Sequence, residues 1–175
     1  TGNLTVPTVA GMDIGSGPNC SVALTANKTI TNNIALANNA YLVLLGGFNL
    51  TMNGIITGGS STAHVVTIGT SKLIISNIGA TPVTFPIGRL PGYYNPITIT
   101  NGGGFNYGVR VDTGISPTIV VPLNAVNRTW YVTPSGGTPG TVNTNFFYSA
   151  GHGNAGFNYT ANLELGQYTG VWNVI

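Results

Sequence analysis

The side chains that could carry acid–base or nucleophilic chemistry are few and far apart in this sequence. Its acids are Asp13, Asp112 and Glu164, and its histidines are His64 and His152. Glycosidases need two convergent carboxylates, and the spacing of these three acids gives no sign of convergence. A Ser-His-Asp triad is compatible with the composition, but the chain has no Gly-x-Ser-x-Gly motif. We therefore expect no catalytic residue and interpret the protein as a non-enzyme.

The two histidines have contrasting local sequences. His64 lies in the apolar run AHVVTI, which predicts a strand residue whose ring nitrogens are satisfied within the fold. His152 lies in GHGNAG, a glycine-rich stretch that predicts a solvated turn residue. Neither setting favours a catalytic base.

Metal and cofactor binding are not indicated either. Cys20 is the single cysteine, and together with two distant histidines it offers too few ligands for zinc. Three acids are too few for a calcium cage. The glycine-rich run NGGGFNYG is not followed by the Lys-Ser/Thr pair of a phosphate loop. We expect no metal and no cofactor.

Charge is scarce. The 175 residues include five Lys and Arg and three Asp and Glu, so 5% are charged, against about 25% in an average soluble domain. The surface must instead be wetted by the amides and hydroxyls of 21 Asn and 24 Thr. With so few charges, electrostatic repulsion hardly opposes self-association.

The cations and the apolar runs exclude two classes of partner. Lys28, Lys72, Arg89, Arg110 and Arg128 are scattered along the sequence, which predicts no basic patch and no nucleic-acid binding. The apolar runs are much shorter than the roughly 18 residues of a transmembrane helix, so we expect no membrane span.

The hydrophobic pattern predicts an all-β fold. Short runs rich in Val, Ile, Thr, Phe and Tyr alternate with Gly, Asn and Pro, and no helical periodicity persists. Residues 1–12 are expected to form an extended N-terminal strand and 13–80 a region of short strands, arranged as a solenoid or a tight meander. Residues 81–175, with longer strands and loops, are expected to form an immunoglobulin-like β-sandwich packed on that region. A single continuous domain is equally compatible with this division.

Several predicted strands carry apolar residues at adjacent positions, for example Val65-Val66 and Val171-Trp172. Neighbouring strand residues point to opposite faces, so such strands should be covered on both sides. The cover is either a packed solenoid core or loops of the same chain, or else the surface of another subunit. The pattern alone does not choose between these.

The middle and C-terminal parts resemble a known group of proteins. VTFPIGRLPGYYNPITIT (83–100), YGVRV (107–111), VNRTWYVTP (126–134) and the closing GVWNVI are similar to modules of very large secreted and cell-surface proteins of Bacteroidetes-type bacteria. The resemblance covers roughly residues 40–175. It implies an extracellular, β-rich structural or adhesive module and carries over no catalytic residue.

We therefore predict a structural subunit of an extracellular filament or fibre, whose copies join head to tail without covalent links. Its interface candidates are Leu4, Val6, Val9, Val171, Trp172 and Ile175. The N-terminal segment is expected to add a strand to the sheet of a neighbouring copy. The polar start of the chain is interpreted as the processed end of a secreted protein.

The alternative function is a carbohydrate-binding adhesin module. Tyr93 and Tyr94 lie in the loop LPGYYNP and are the best candidates for an exposed aromatic platform. If the protein is an adhesin module, its partners are glycans. If it is a filament subunit, its partners are other copies of the chain.

Overall fold

The computed structural model of the protein describes residues 2–4, 8–9, 12–14, 20–37 and 39–175, with side chains described from residue 21 onward. These residues contain many short β-strands, no α-helix and one 3₁₀ turn at Pro122–Asn124. None of the described segments is a helix long and apolar enough to cross a membrane.

The first half of the chain is a β-solenoid whose first three coils each place one strand in each of three parallel sheets, and whose fourth coil adds a strand to two of them. Its strands are β1 (Gly2–Leu4), β2 (Thr8–Val9), β3 (Met12–Ile14), β4 (Cys20–Leu24), β5 (Lys28–Ile30), β6 (Ile34–Leu36), β7 (Ala40–Leu44), β8 (Leu50–Met52), β9 (Ile56–Gly58), β10 (His64–Thr67) and β11 (Leu73–Ile78). Sheet 1 has the order β1-β4-β7-β10, sheet 2 the order β2-β5-β8-β11, and sheet 3 the order β3-β6-β9. Paired residues are 20 to 23 positions apart in the sequence, which is the length of one coil.

The solenoid core consists of stacks of apolar side chains, and each stack takes one residue from each coil. Ile30, Met52 and Ile75 occupy paired positions on successive strands of sheet 2, and all three are buried. Residues between these positions, such as Thr51, are only half-buried because alternate side chains of a strand point to the outer face. Three-residue strands suffice because each coil is held by the coils on either side of it.

The second half of the chain contains eight further strands. They are β12 (Val83–Phe85), β13 (Ile87–Gly88), β14 (Ile97–Thr100), β15 (Phe105–Thr113), β16 (Arg128–Ser135), β17 (Asn143–Phe146), β18 (Gly166–Tyr168) and β19 (Trp172–Val174). β13 extends sheet 1, and β15 pairs antiparallel with β11 and is followed by β16, which extends sheet 2. β12, β14 and β17 form an antiparallel sheet, and β18 and β19 form a hairpin.

The all-β fold and the solenoid-like first half confirm the predictions from the sequence. The strands after residue 81 are distributed over several sheets, and the immunoglobulin-like sandwich stays a prediction. Residues 1–12 include β1, β2 and the first residue of β3, which lie in three different sheets, and the division into residues 1–12, 13–80 and 81–175 stays a prediction. β1 pairs with β4 of the same chain.

The chain divides into two compact units. Unit 1 comprises Thr1–Asp112 and Trp130–Phe147, and unit 2 comprises Thr113–Thr129 and Tyr148–Ile175. The buried apolar cluster of the described residues lies entirely in unit 1. In unit 2 the buried residues are Arg128 and His152, and no apolar side chain is buried.

Candidate functional site

The acids do not converge on a catalytic centre in the described part of the chain. Asp112 accepts hydrogen bonds from Arg89 Nε and Arg110 Nη1, both at 2.9 Å, and Glu164 is exposed on unit 2. Asp13 lies in β3, and its side chain is outside the described residues. No group of three His, Cys, Asp or Glu side chains able to hold a metal is present among the residues described.

His64 lies on β10 and is fully buried, as its apolar run predicted. Its Nδ1 is 2.9 Å from the carbonyl oxygen of Ser60, and its Nε2 is 3.0 Å from that of Leu90. The rings of Tyr41 and Tyr94 contact the imidazole at centroid distances of 5.1 and 5.6 Å. Burial lowers the pKa of His64, and the two carbonyl contacts partly oppose that shift. The ring joins a turn and a loop to the sheet.

His152 contradicts the prediction of a solvated residue, because it is only 5% exposed. Its backbone carbonyl accepts a hydrogen bond from Asn127 N at 2.7 Å, and its Nδ1 accepts one from Ser149 N at 3.3 Å. Ser149 Oγ is almost equally far from both ring nitrogens, at 3.4 and 3.3 Å. These distances single out neither nitrogen as a base for the hydroxyl. Burial and the charge of Arg128 lower the pKa of His152.

The predicted aromatic platform is only half present. The Tyr93 side chain is 47% exposed, whereas Tyr94 is half-buried and packs on His64. The loop that carries both tyrosines is closed by hydrogen bonds from Tyr93 N to Leu90 O and from Asn95 N to Ile87 O. Gly88 has no room for a side chain, because a Cβ there would lie 2.0 Å from the Tyr93 carbonyl oxygen. The structure thus presents one ring, Tyr93, on a firmly held loop.

Three of the five cations, although scattered along the sequence, lie close together at the outer face of sheet 2, which corrects the expectation that they form no patch. Arg110 and Asp112 alternate with buried residues on β15, and Arg89 reaches Asp112 from the end of β13. The Arg110 guanidinium lies 3.4 Å from the ring centroid of Tyr131 on β16. Lys72, just before β11, donates from Nζ to Thr133 Oγ1 on β16 at 3.0 Å.

Glycine allows these side chains to lie flat on the sheet. A Cβ at Gly108 on β15 would be 3.2 Å from Cδ of Lys72, so the lysine side chain crosses β15 above this residue. Because Leu73 is paired with Val109, Lys72 and Arg110 are neighbours across the two strands. We call Lys72, Arg89, Arg110 and Asp112 the basic patch.

The first coil places a terminal strand in each of the three parallel sheets. Within the described residues, β1, β2 and β3 each pair with one strand only, namely β4, β5 and β6. Of the N-terminal interface candidates, Leu4 is in β1 and Val9 is in β2, while Val6 lies outside the described residues. An edge strand can pair with a further strand through its backbone donors and acceptors.

The C-terminal interface candidates are largely exposed. Val171 is 65% exposed and Ile175 66%, while Trp172 is half-buried and donates from Nε1 to Pro117 O at 3.1 Å. Tyr168 faces Trp172 across the hairpin, with 5.5 Å between ring centroids. Exposed apolar residues Leu165, Tyr168, Val171, Val174 and Ile175, with Trp172 among them, are here called the C-terminal apolar surface.

Sequence reasoning missed the basic patch and part of the C-terminal apolar surface. Val174 could have been found, because it alternates with Trp172 and therefore shares its face of β19. The basic patch has no local signal, since its members come from three separate strands or strand ends.

An open depression of about 330 Å³, lined by Gly79, Ala80, Asn101, Gly103 and Gly104, contains no acid, base or nucleophile.

No protein-family model matches the chain, and neither the curated proteins nor the solved structures contain a match to it. The resemblance to surface proteins of Bacteroidetes-type bacteria therefore stays a prediction from the sequence.

Proposed function

We propose that the protein is a structural subunit of an extracellular filament or fibre, whose copies join head to tail by β-strand addition and apolar packing. The observation that carries this proposal is the first coil, in which β1, β2 and β3 each pair on one side only within the described residues. A strand that is paired on one side can accept another strand, and solenoids stay monomeric where their end coils are covered.

The C-terminal apolar surface supplies a complementary partner. Unit 2 has no buried apolar side chain, and two-stranded hairpins such as β18–β19 are marginally stable alone. Burying Val171, Val174 and Ile175 against another copy would remove their apolar area from water. A contact between a first coil and a C-terminal hairpin is heterologous, so repeating it gives a filament and not a closed dimer.

The pairing of β1 with β4 of the same chain changes how strand addition would occur. A donated strand must leave its own sheet, whereas β1 keeps its pairing with β4 and can accept a further strand on its other edge. Leu4 and Val9 remain interface candidates as members of these edge strands. The low charge of the chain supports close packing of copies.

Electron microscopy and sedimentation of the purified full chain test this proposal. Lysine in an edge strand disfavours edge-to-edge pairing, so Asn3→Lys with Thr8→Lys should abolish filaments and leave folded monomers. The control adds the same charge at exposed Thr81 and Thr138, and these lysines should leave filaments intact. A parent protein that stays monomeric at all concentrations would overturn the proposal.

A carbohydrate-binding adhesin module is the second candidate, favoured by the exposed ring of Tyr93 on its closed loop. Tyr93→Ala should abolish retention on a polysaccharide column without affecting the fold. Replacing Tyr94 as well is less clean, because Tyr94 packs on His64. If Tyr93→Ala is retained like the parent, the loop is not a glycan platform.

A further inference from the structure

The basic patch holds four of the eight charged residues of the chain. The rest of the surface is hydrated mainly through amide and hydroxyl side chains, so the charge of this protein is concentrated on one sheet face. Three cations and one acid give this face a net charge of +2, which equals the formal net charge of the whole chain.

The pairing within the patch leaves positive charge uncompensated. Asp112 is shared by Arg89 and Arg110, with one carboxylate oxygen for each. Lys72 bonds to the neutral hydroxyl of Thr133, and none of the described acids forms an ion pair with it. Like charges at neighbouring positions across two strands are destabilising, so the placement of Lys72 beside Arg110 costs the fold stability. An anion bound between them would offset that cost.

The patch is also built to a fixed geometry. Arg110 is held on one side by Asp112 and on the other by the Tyr131 ring, and Lys72 is held along the floor formed by Gly108. Guanidinium groups held in place recognise carboxylate and sulfate groups with little loss of side-chain entropy. The hydroxyl of Thr133 adds a neutral hydrogen-bonding group at the edge.

We propose that the basic patch binds the carboxylate groups of an acidic polysaccharide. This site lies in unit 1, differs from the Tyr93 loop and from both assembly surfaces, and does not depend on filament formation. A nucleic acid fits less well, because its binding draws on many phosphate contacts and the patch offers three cations, two of which share Asp112. The ring face of Tyr131 that meets Arg110 is also unable to stack on a base.

Binding of the purified full chain to polygalacturonate, with neutral dextran as the comparison polymer, tests the site. Lys72→Gln is the leading variant, because the described hydrogen bond of its ammonium group is to one exposed hydroxyl and the loss of that bond should leave the fold intact. We expect its affinity for polygalacturonate to fall about fivefold. Arg110→Gln should lower the affinity further. This change also removes one of the two arginine partners of Asp112, so the melting temperature of the variant is measured as well.

The matched control is Ser61→Asp, at an exposed turn between β9 and β10, outside sheet 2. It lowers the net charge by one, as Lys72→Gln does, and should change affinity less than about twofold. Equal losses in both variants would mean non-specific attraction and would overturn the proposal. So would equal binding to dextran, no binding to polygalacturonate, or tighter binding to a single-stranded oligonucleotide than to polygalacturonate.

Discussion

The Nε2 atom of His64 lies 3.0 Å from the carbonyl oxygen of Leu90, while the other ring nitrogen faces the carbonyl oxygen of Ser60 at 2.9 Å. A neutral imidazole has one N–H and can donate to one of these acceptors only. The protonated ring could donate to both, but its charge would be buried. Burial is the larger effect on the pKa of His64, so the neutral ring is the stable form in the folded protein.

This balance gives a definite pH dependence. The pKa of His64 is lowered on folding, so its contribution to stability is complete above the unfolded value of about 6.5 and is lost as the pH falls below it. We expect the melting temperature to decrease between about pH 7 and pH 5. His64→Gln, although less stable, should show a shallower decrease, measured by thermal unfolding monitored with circular dichroism.

His152 provides the comparison, since its pKa is lowered as well. His152→Gln should remove its own part of the acid sensitivity and leave that of His64. Identical pH profiles for the parent and both variants would contradict the assignment of acid sensitivity to these buried rings.

The close approach of neighbouring coils at Gly54 predicts a site intolerant of any side chain. A Cβ at Gly54 would lie 1.7 Å from the carbonyl oxygen of Asn32, so Gly54→Ala must push two coils apart. Overpacking of this kind costs about 1–3 kcal/mol in the free energy of unfolding, measured by urea titration. Gly79→Ala is the control, because a Cβ there meets no atom within 4 Å. A Gly54→Ala protein as stable as Gly79→Ala would show that the coils are not this close.

Asn49 links three successive coils through its backbone and side chain. Its N donates to Asn27 Oδ1 and its Oδ1 accepts from Lys72 N, both at 2.8 Å. Asn49→Ala leaves the Lys72 amide without this acceptor and should lower the free energy of unfolding by about 1 kcal/mol. Exposed Asn143→Ala should be near neutral in the same urea titration. Equal midpoints for the two variants would contradict a structural role for the Asn49 side chain.

The sequence predicted the strands better than it predicted their partners. The apolar run Tyr41–Leu45, flanked by Asn and Gly, predicts a strand, and β7 (Ala40–Leu44) begins and ends one residue earlier. This agreement is close because apolar runs and flanking turn residues are local signals. The pairing of β7 with β4 and β10 joins residues 20 and 23 positions apart. A strand of three to five residues carries no local mark of such a partner, so a solenoid and a meander could not be separated beforehand.

The adjacent apolar pairs had two explanations, and cover by the same chain is seen for one pair and not for the other. In Val65-Val66, both residues are buried within the chain. In Val171-Trp172, the valine remains exposed. The sequence could not distinguish them, because the loop that covers β10 at His64 comes from residues about 26 positions later.

Salt should separate the two proposed interactions. Filament assembly would rest on apolar burial and backbone pairing, and the C-terminal apolar surface has no charged member. Screening acts on charges and not on these contacts, so filament mass in a sedimentation assay should change little between about 50 and 500 mM NaCl. Polygalacturonate binding at the basic patch should weaken roughly tenfold or more over the same range, because each bound anionic group releases counterions. Filaments that dissolve in NaCl would contradict assembly by apolar packing, and salt-insensitive polygalacturonate binding would move that ligand away from Lys72 and Arg110.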